Sequence, residues 1–115
     1  MLQKNRSRAA AKRRSHADLF AALGDETRLA LVGRLCGGQP HSISELTEGS
    51  RLSRQAVTKH LRVLEDAGIV RGRRSGRESR FAFNPEPIEA LSDYLEEVST
   101  QWDRALSRLK SFAED

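Results

Sequence analysis

The chain has 115 residues, 37% hydrophobic and 31% charged, which leaves room for one domain around one modest core. No apolar run approaches the ~20 residues of a membrane span, the basic first residues lack the apolar stretch of a secretory signal, and the single cysteine excludes an internal disulfide, so a reducing, cytoplasmic setting is expected. The net charge of +4 is segregated: residues 1–14 carry six Lys/Arg and no acid, residues 51–80 carry nine Lys/Arg against three acids, and the end of the chain is acidic, a division that a polyanion partner on one face would explain.

Residues 1–15 form a basic segment rich in Ala, Arg and Ser without an apolar period, and a flexible arm is expected there. Composition leaves open whether such an arm follows DNA or only solubilises the chain. Residues 16–115 make up the folded domain. A first helix is expected from about His16 to Leu23, with Leu19, Phe20 and Leu23 on one side and Gly24 ending it. Asp25 is placed to cap a second helix, whose buried stripe reads Leu29, Val32, Leu35 and Cys36. Gly37, Gly38 and Pro40 then break the chain.

A short third helix starts at Ser42-Ile43-Ser44-Glu45-Leu46, Gly49-Ser50 makes a turn, Leu52 plugs the core, and Ser53 caps a fourth helix. Two helices joined through a glycine-containing turn form a helix-turn-helix, whose second helix enters the DNA major groove N-terminal end first. On that helix Val57, Leu61 and Leu64 share one face. The opposite face presents Arg54, Gln55, Thr58, Lys59 and Arg62, side chains that bond to phosphates and base edges.

Gly68 closes the fourth helix, and Ile69-Val70 begins a strand. Ser75-Gly76 turns the chain and Ser79 to Phe83 returns, with Phe81 and Phe83 facing inward. Arg71, Arg73, Arg74, Arg77 and Arg80 decorate this two-stranded wing, which suits it to a phosphate backbone or minor groove. Asn84-Pro85 starts a last helix of about residues 85–112. Ile88, Leu91, Leu95, Val98, Trp102, Ala105, Leu109 and Phe112 follow one another in steps of three and four, the seam of a helix that packs along a partner helix. The expected fold class is therefore α+β, mostly α: a winged helix-turn-helix dimerising through its N- and C-terminal helices, with Leu19, Leu91, Leu95, Val98, Trp102 and Leu109 at the dimer interface.

The runs Gly24-Asp25-Glu26-Thr27-Arg28-Leu29, Ile43-Ser44-Glu45-Leu46, Leu52 to Leu61, and Leu64-Glu65-Asp66-Ala67-Gly68-Ile69-Val70 resemble, in order and spacing, the ArsR/SmtB family of bacterial winged-helix repressors, over about residues 16 to 112. The resemblance implies a homodimer that binds a palindromic operator in double-stranded DNA, often at its own promoter. It places Ser53, Arg54, Gln55, Thr58, Lys59, His60 and Arg62 of the recognition helix, with Arg73, Arg74 and Arg77 of the wing, at the DNA. His60 suits a phosphate contact or a hydrogen bond that orients the helix.

Many family members sense metals, and here the chain departs from the family patterns. The positions of the thiolate ligands are Ser42 and Ser44, followed by Glu45 and Leu46, and a hydroxyl is a poor ligand for soft or borderline metals. The last helix has Asp93, Glu96, Glu97 and Asp103 but no histidine. No metal and no cofactor are expected, and an effector is left open. Cys36 reads as a small buried residue in preference to a redox sensor, Trp102 as core packing in preference to an effector wall, and His16 and His41 as surface or capping residues. No G-x-S-x-G, P-loop or H-E-x-x-H is present, so an enzyme is not expected. The competing readings are a winged-helix module for an acidic protein and a metal or redox sensor with atypical ligands.

Overall fold

A computed structural model describes residues 2–114, without the side chains of 2–6 and 9, so Lys4 and Arg6 of the basic segment lie outside what is described. The elements run α1 (Leu2–Leu23), α2 (Glu26–Leu35), β1 (His41–Ser42), α3 (Ile43–Thr47), α4 (Arg54–Asp66), β2 (Val70–Ser75), β3 (Glu78–Phe83) and α5 (Pro85–Glu114). The strands form one antiparallel sheet in the order β1-β3-β2. It is a winged helix-turn-helix: α3, a turn and α4 form the motif, and β2–β3 form the wing.

Three side-chain caps start the inner helices as their residue types require. The Asp25 carboxylate accepts from the Arg28 amide at 3.0 Å, the Ser42 hydroxyl from Glu45 at 3.1 Å, and the Ser53 hydroxyl from Ala56 at 3.1 Å. Each satisfies an amide that the first helical turn leaves without a partner. Helix α4 ends in a Schellman turn: Gly68 at φ +78 lets its own amide reach Glu65 O and the Ile69 amide reach Leu64 O. Asn84 then ties the end of β3 to this turn through Ile69 O and Gly68 O, so the wing leaves α4 in a set direction.

The core lies between α1, α2, the underside of α4 and the sheet. Leu35, Leu46, Val57, Leu61, Leu64, Ile69 and Val70 are fully buried there, with Leu19, Ala22, Leu31, Phe81 and Leu91 around them. Leu52 and Phe83 pack against this cluster, as expected.

The structure corrects several expectations. Helix α1 begins at Leu2 instead of near His16, so the segment read as a flexible arm is helical. Its Ala, Arg and Lys residues are strong helix formers, although they carry no apolar stripe to announce it. The stripe of α2 is Leu31, Val32 and Leu35; Leu29 and Cys36 are exposed. The position one turn before Leu31 and Val32 is held by Arg28, which turns back onto the last carbonyls of α1 at Ala21 and Ala22. The sheet has a third strand, because His41 and Ser42 pair with Phe81 and Arg80. His16 is buried against Tyr94, with ring centroids 4.5 Å apart, and His41 is half-buried beside Glu45, so neither is a free surface residue.

Helix α5 has 30 residues, and among the described residues it packs on the core through its first part, at Ile88, Leu91 and Tyr94. The radius of gyration of 18.9 Å is far above the roughly 13 Å of a compact domain of this length. The excess comes from the helix ends reaching beyond the core. Leu19 and Leu91, expected at a dimer interface, are buried in the subunit's own core. Trp102, expected at the dimer interface and as a packing residue, is 64% exposed within the subunit.

Candidate nucleic-acid interface

The caps and core packing of α4 decide which of its sides is free. With Val57, Leu61 and Leu64 buried beneath it, the exposed surface carries Arg54, Gln55, Lys59 and Arg62. Ser53 is exposed at the N-terminus with its hydroxyl committed to the cap. Thr58 is half-buried and donates its hydroxyl proton to Arg54 O at 2.8 Å, which leaves the oxygen free to accept. The helix thus presents cations and one amide side chain on a rigid element, first turn outward.

His60 points elsewhere. Arg28 Nη1 lies 3.2 Å from His60 Nδ1, and Asp25 Oδ2 lies 3.8 Å from the same nitrogen. Arginine has only donors, so Nδ1 accepts and the ring proton sits on Nε2. His60 therefore joins α4 to the α1–α2 corner, and the helix-orienting role is the one its surroundings support.

The wing carries Arg71, Arg73, Arg74 and Arg77 as exposed side chains. Arg62, Arg73 and Arg74 share a cleft of about 230 Å³ between α4 and the wing, together with Thr58, Glu65 and Gly72. Among the described residues, Arg54, Lys59, Arg62, Arg71, Arg73, Arg74 and Arg77 make no ion pair. Their charge is available to an outside anion. Arg80 differs from the other wing arginines. It bonds Glu45 Oε1 at 3.2 Å and Pro40 O at 3.4 Å, and approaches Glu78 at 3.7 Å, which joins the wing to α3.

Sequence reasoning missed the residues that hold this face together. Glu45 bridges His41 and Arg80, Arg34 donates to the carbonyls of Glu45 and Leu46, and Glu65 accepts from the Gly72 amide at 3.0 Å. Glu45 and Arg80 are 35 residues apart and Arg34 is 11 and 12 from its acceptors, and only the glycine among the wing arginines carries a local signal. Ser42, at a position that resembles a thiolate ligand, spends its hydroxyl on the α3 cap.

Two carboxyls here titrate low. The Arg28 amide, helped by the Arg28 charge, holds Asp25 below the usual carboxylate range, and the His41 hydrogen bond, with Arg80 nearby, does the same for Glu45; partial burial opposes both. A depressed folded pKa contributes stability that is present above the ordinary carboxylate range, about pH 4, and is lost as pH falls through the folded values. The thermal midpoint should therefore drop on acidification below about pH 4, measured by circular dichroism. Asp25→Asn, which still accepts from the Arg28 amide, should lessen that drop; an unchanged acid profile would mean that the Asp25 cap gains nothing from its charge.

A helix-turn-helix domain family model matches residues 23–73. The chain is 39% identical over 79 residues to an uncharacterised HTH-type transcriptional regulator, YuzN, of Bacillus subtilis, covering 64% of this chain and 86% of that one. It is 37% identical over 94 residues to the HTH-type transcriptional regulator Rv2034 of Mycobacterium tuberculosis, covering 82% and 84%. Among solved structures it is similar to an ArsR-like transcriptional regulator from Rhodococcus sp. RHA1, with 35% identity, a TM-score of 0.75 and coverage of 90% of this chain and 96% of that one.

Proposed function

Because the chain belongs to the ArsR family of winged helix-turn-helix transcriptional regulators, we propose that it represses transcription in the cytoplasm by binding an inverted-repeat operator as a homodimer. The observation that carries this reading is the unpaired cationic face shared by α4 and the wing, opposite a fully buried underside. Each α4 enters one major groove, and the dimer sets the half-sites about one helical turn, ~34–36 Å, apart. Arg54 and Gln55 lie in the first turn of α4, where bidentate contacts to guanine and adenine edges are made. Ser53, Lys59, Arg62, Arg73, Arg74 and Arg77 bind backbone phosphates, which fixes register and supplies salt-sensitive affinity, whereas Thr58 reaches a phosphate only by releasing its proton from Arg54 O.

The exposed apolar side chains of α5 support the dimer. Leu95, Leu106 and Leu109 are at least half exposed, and Trp102 and Phe112 more so. They form one exposed stripe along the helix, a patch of the kind that marks an interaction surface. The seam is accordingly Leu95, Val98, Trp102 and Leu109, continued by Leu106 and Phe112.

Fluorescence anisotropy with duplex DNA from the chain's own promoter, against scrambled DNA at ~150 mM salt, tests the function. A preference of about 10³-fold or more supports an autoregulating repressor; equal, weak and steeply salt-dependent binding to both would overturn operator recognition. Gln55→Ala should cost ~1–3 kcal/mol of operator binding and relax preference at one base pair, whereas Arg74→Ala should weaken all sequences alike and lower the salt slope by about one per subunit. If the two variants behaved alike, the division into base-reading and phosphate-binding residues would fall.

A further inference from the structure

Glu65 stands on the DNA-facing side of the molecule although it is an acid. It is exposed in the last turn of α4 and shares a cleft with Arg62, Arg73 and Arg74. Coulomb's law alone makes such a carboxylate a liability beside phosphates. Yet Glu65 pairs with none of these arginines. It accepts the Gly72 amide at 3.0 Å. Strand β2 has a neighbour on one side only, so this amide belongs to the sheet's open edge and would otherwise face water.

Gly72 is built for this approach. A Cβ there would meet Glu65 Oε2 at 2.7 Å and the Phe81 ring at 3.0 Å. The glycine lacks a positive φ, so its backbone conformation does not call for it. Closeness does: the Phe81 ring anchors the wing in the core on one side, and the carboxylate takes the amide on the other. A charged acceptor makes this bond stronger than a neutral one.

We infer that Glu65 is a positioning residue that fastens the wing to the recognition helix through the Gly72 amide, fixing the distance between base-reading side chains and wing arginines. The inference rests on the DNA-binding function proposed above. Its effect on affinity has the opposite sign to that of charge alone. Removing a carboxylate from a phosphate-facing surface should tighten DNA binding, whereas releasing the wing should weaken it.

The test compares Glu65→Ala with Glu65→Gln in the full chain. Glutamine removes the charge but keeps an oxygen that accepts the Gly72 amide; alanine removes both. Glu65→Ala should bind the promoter duplex about tenfold more weakly, with its salt slope reduced by about one or more per subunit as the wing arginines lose their register. Glu65→Gln should bind at least as tightly as the native chain. In the unbound protein, the Gly72 amide resonance should follow the titration of a carboxyl in the native chain and cease to do so in both variants. Glu65→Ala binding as tightly as the native chain or more so, or a Gly72 amide indifferent to Glu65, would overturn the inference. A native chain that binds no duplex while its Gly72 amide still follows Glu65 would instead overturn the function, and with it any DNA role for the contact.

Discussion

Glutamate introduced at Leu95 and Trp102 should yield a folded monomer whose operator affinity is lower by about 10²–10⁴-fold, the gain that linking two half-site contacts provides. The fold should survive because these side chains are 50% and 64% exposed and lie outside the buried core. Dimerisation should fail because two carboxylates would be desolvated in an apolar seam without partners. Sedimentation velocity checks the first result and anisotropy on a full operator the second. A variant that remains dimeric, or a monomer that grips the palindrome as tightly as the native chain, would show that α5 is not the joint between subunits. The same substitution at Leu91, which is 3% exposed, should instead unfold the chain, so the comparison separates interface from core.

Leu61→Ala should cost about 2–5 kcal/mol of stability, a large share of the 5–15 kcal/mol available to a small domain. Leu61 has no exposed surface and sits beneath α4 with Leu64, Ile69 and Leu46 in the same cluster. The loss combines the transfer of the removed methylenes with the cavity they leave, since caps at Ser53 and Gly68 prevent the helix from sinking to fill it. Urea unfolding followed by circular dichroism measures the cost. A change below about 1 kcal/mol would mean that the core repacks around the gap. At temperatures where the variant stays folded, its base preferences should be unchanged, because the outer side chains of α4 are untouched.

Short-range chemistry made much of this fold legible in the sequence. Asp25, Ser42, Ser53 and Gly68 end or begin helices through bonds to residues at most three positions away, so spacing and residue type announced them. The wing was equally plain, because Ser75-Gly76 and the returning Phe81 and Phe83 are local signals. What stayed hidden depended on distant partners. Leu29 reads as core until Arg28 is seen reaching back to α1, which turns α2 and puts Leu31 inside. His60 reads equally as a phosphate ligand or a helix-orienting hydrogen bond until Asp25 and Arg28 are seen around it. Strand β1 is two residues long, too short for any alternation, and exists only because β3 lies beside it. Spacing marks one apolar stripe along α5 but cannot divide it into Leu91, which the subunit buries, and Leu95, Trp102 and Leu109, which stay at least half exposed.

The open edges of the small sheet bear on how the chain survives when no DNA is bound. An unpaired strand edge is a template for another chain and a starting point for aggregation. One edge here is β1, too short at two residues to nucleate pairing. The other is β2, whose Arg71, Arg73 and Arg74 would set cation against cation if two such edges met, and whose Gly72 amide is already occupied by Glu65. The side chains that draw the wing to a nucleic acid therefore also keep it apart from its own kind. Neutralising them should raise the tendency to form fibres as well as weaken binding, so wing variants need to be judged for solubility before their affinities are compared.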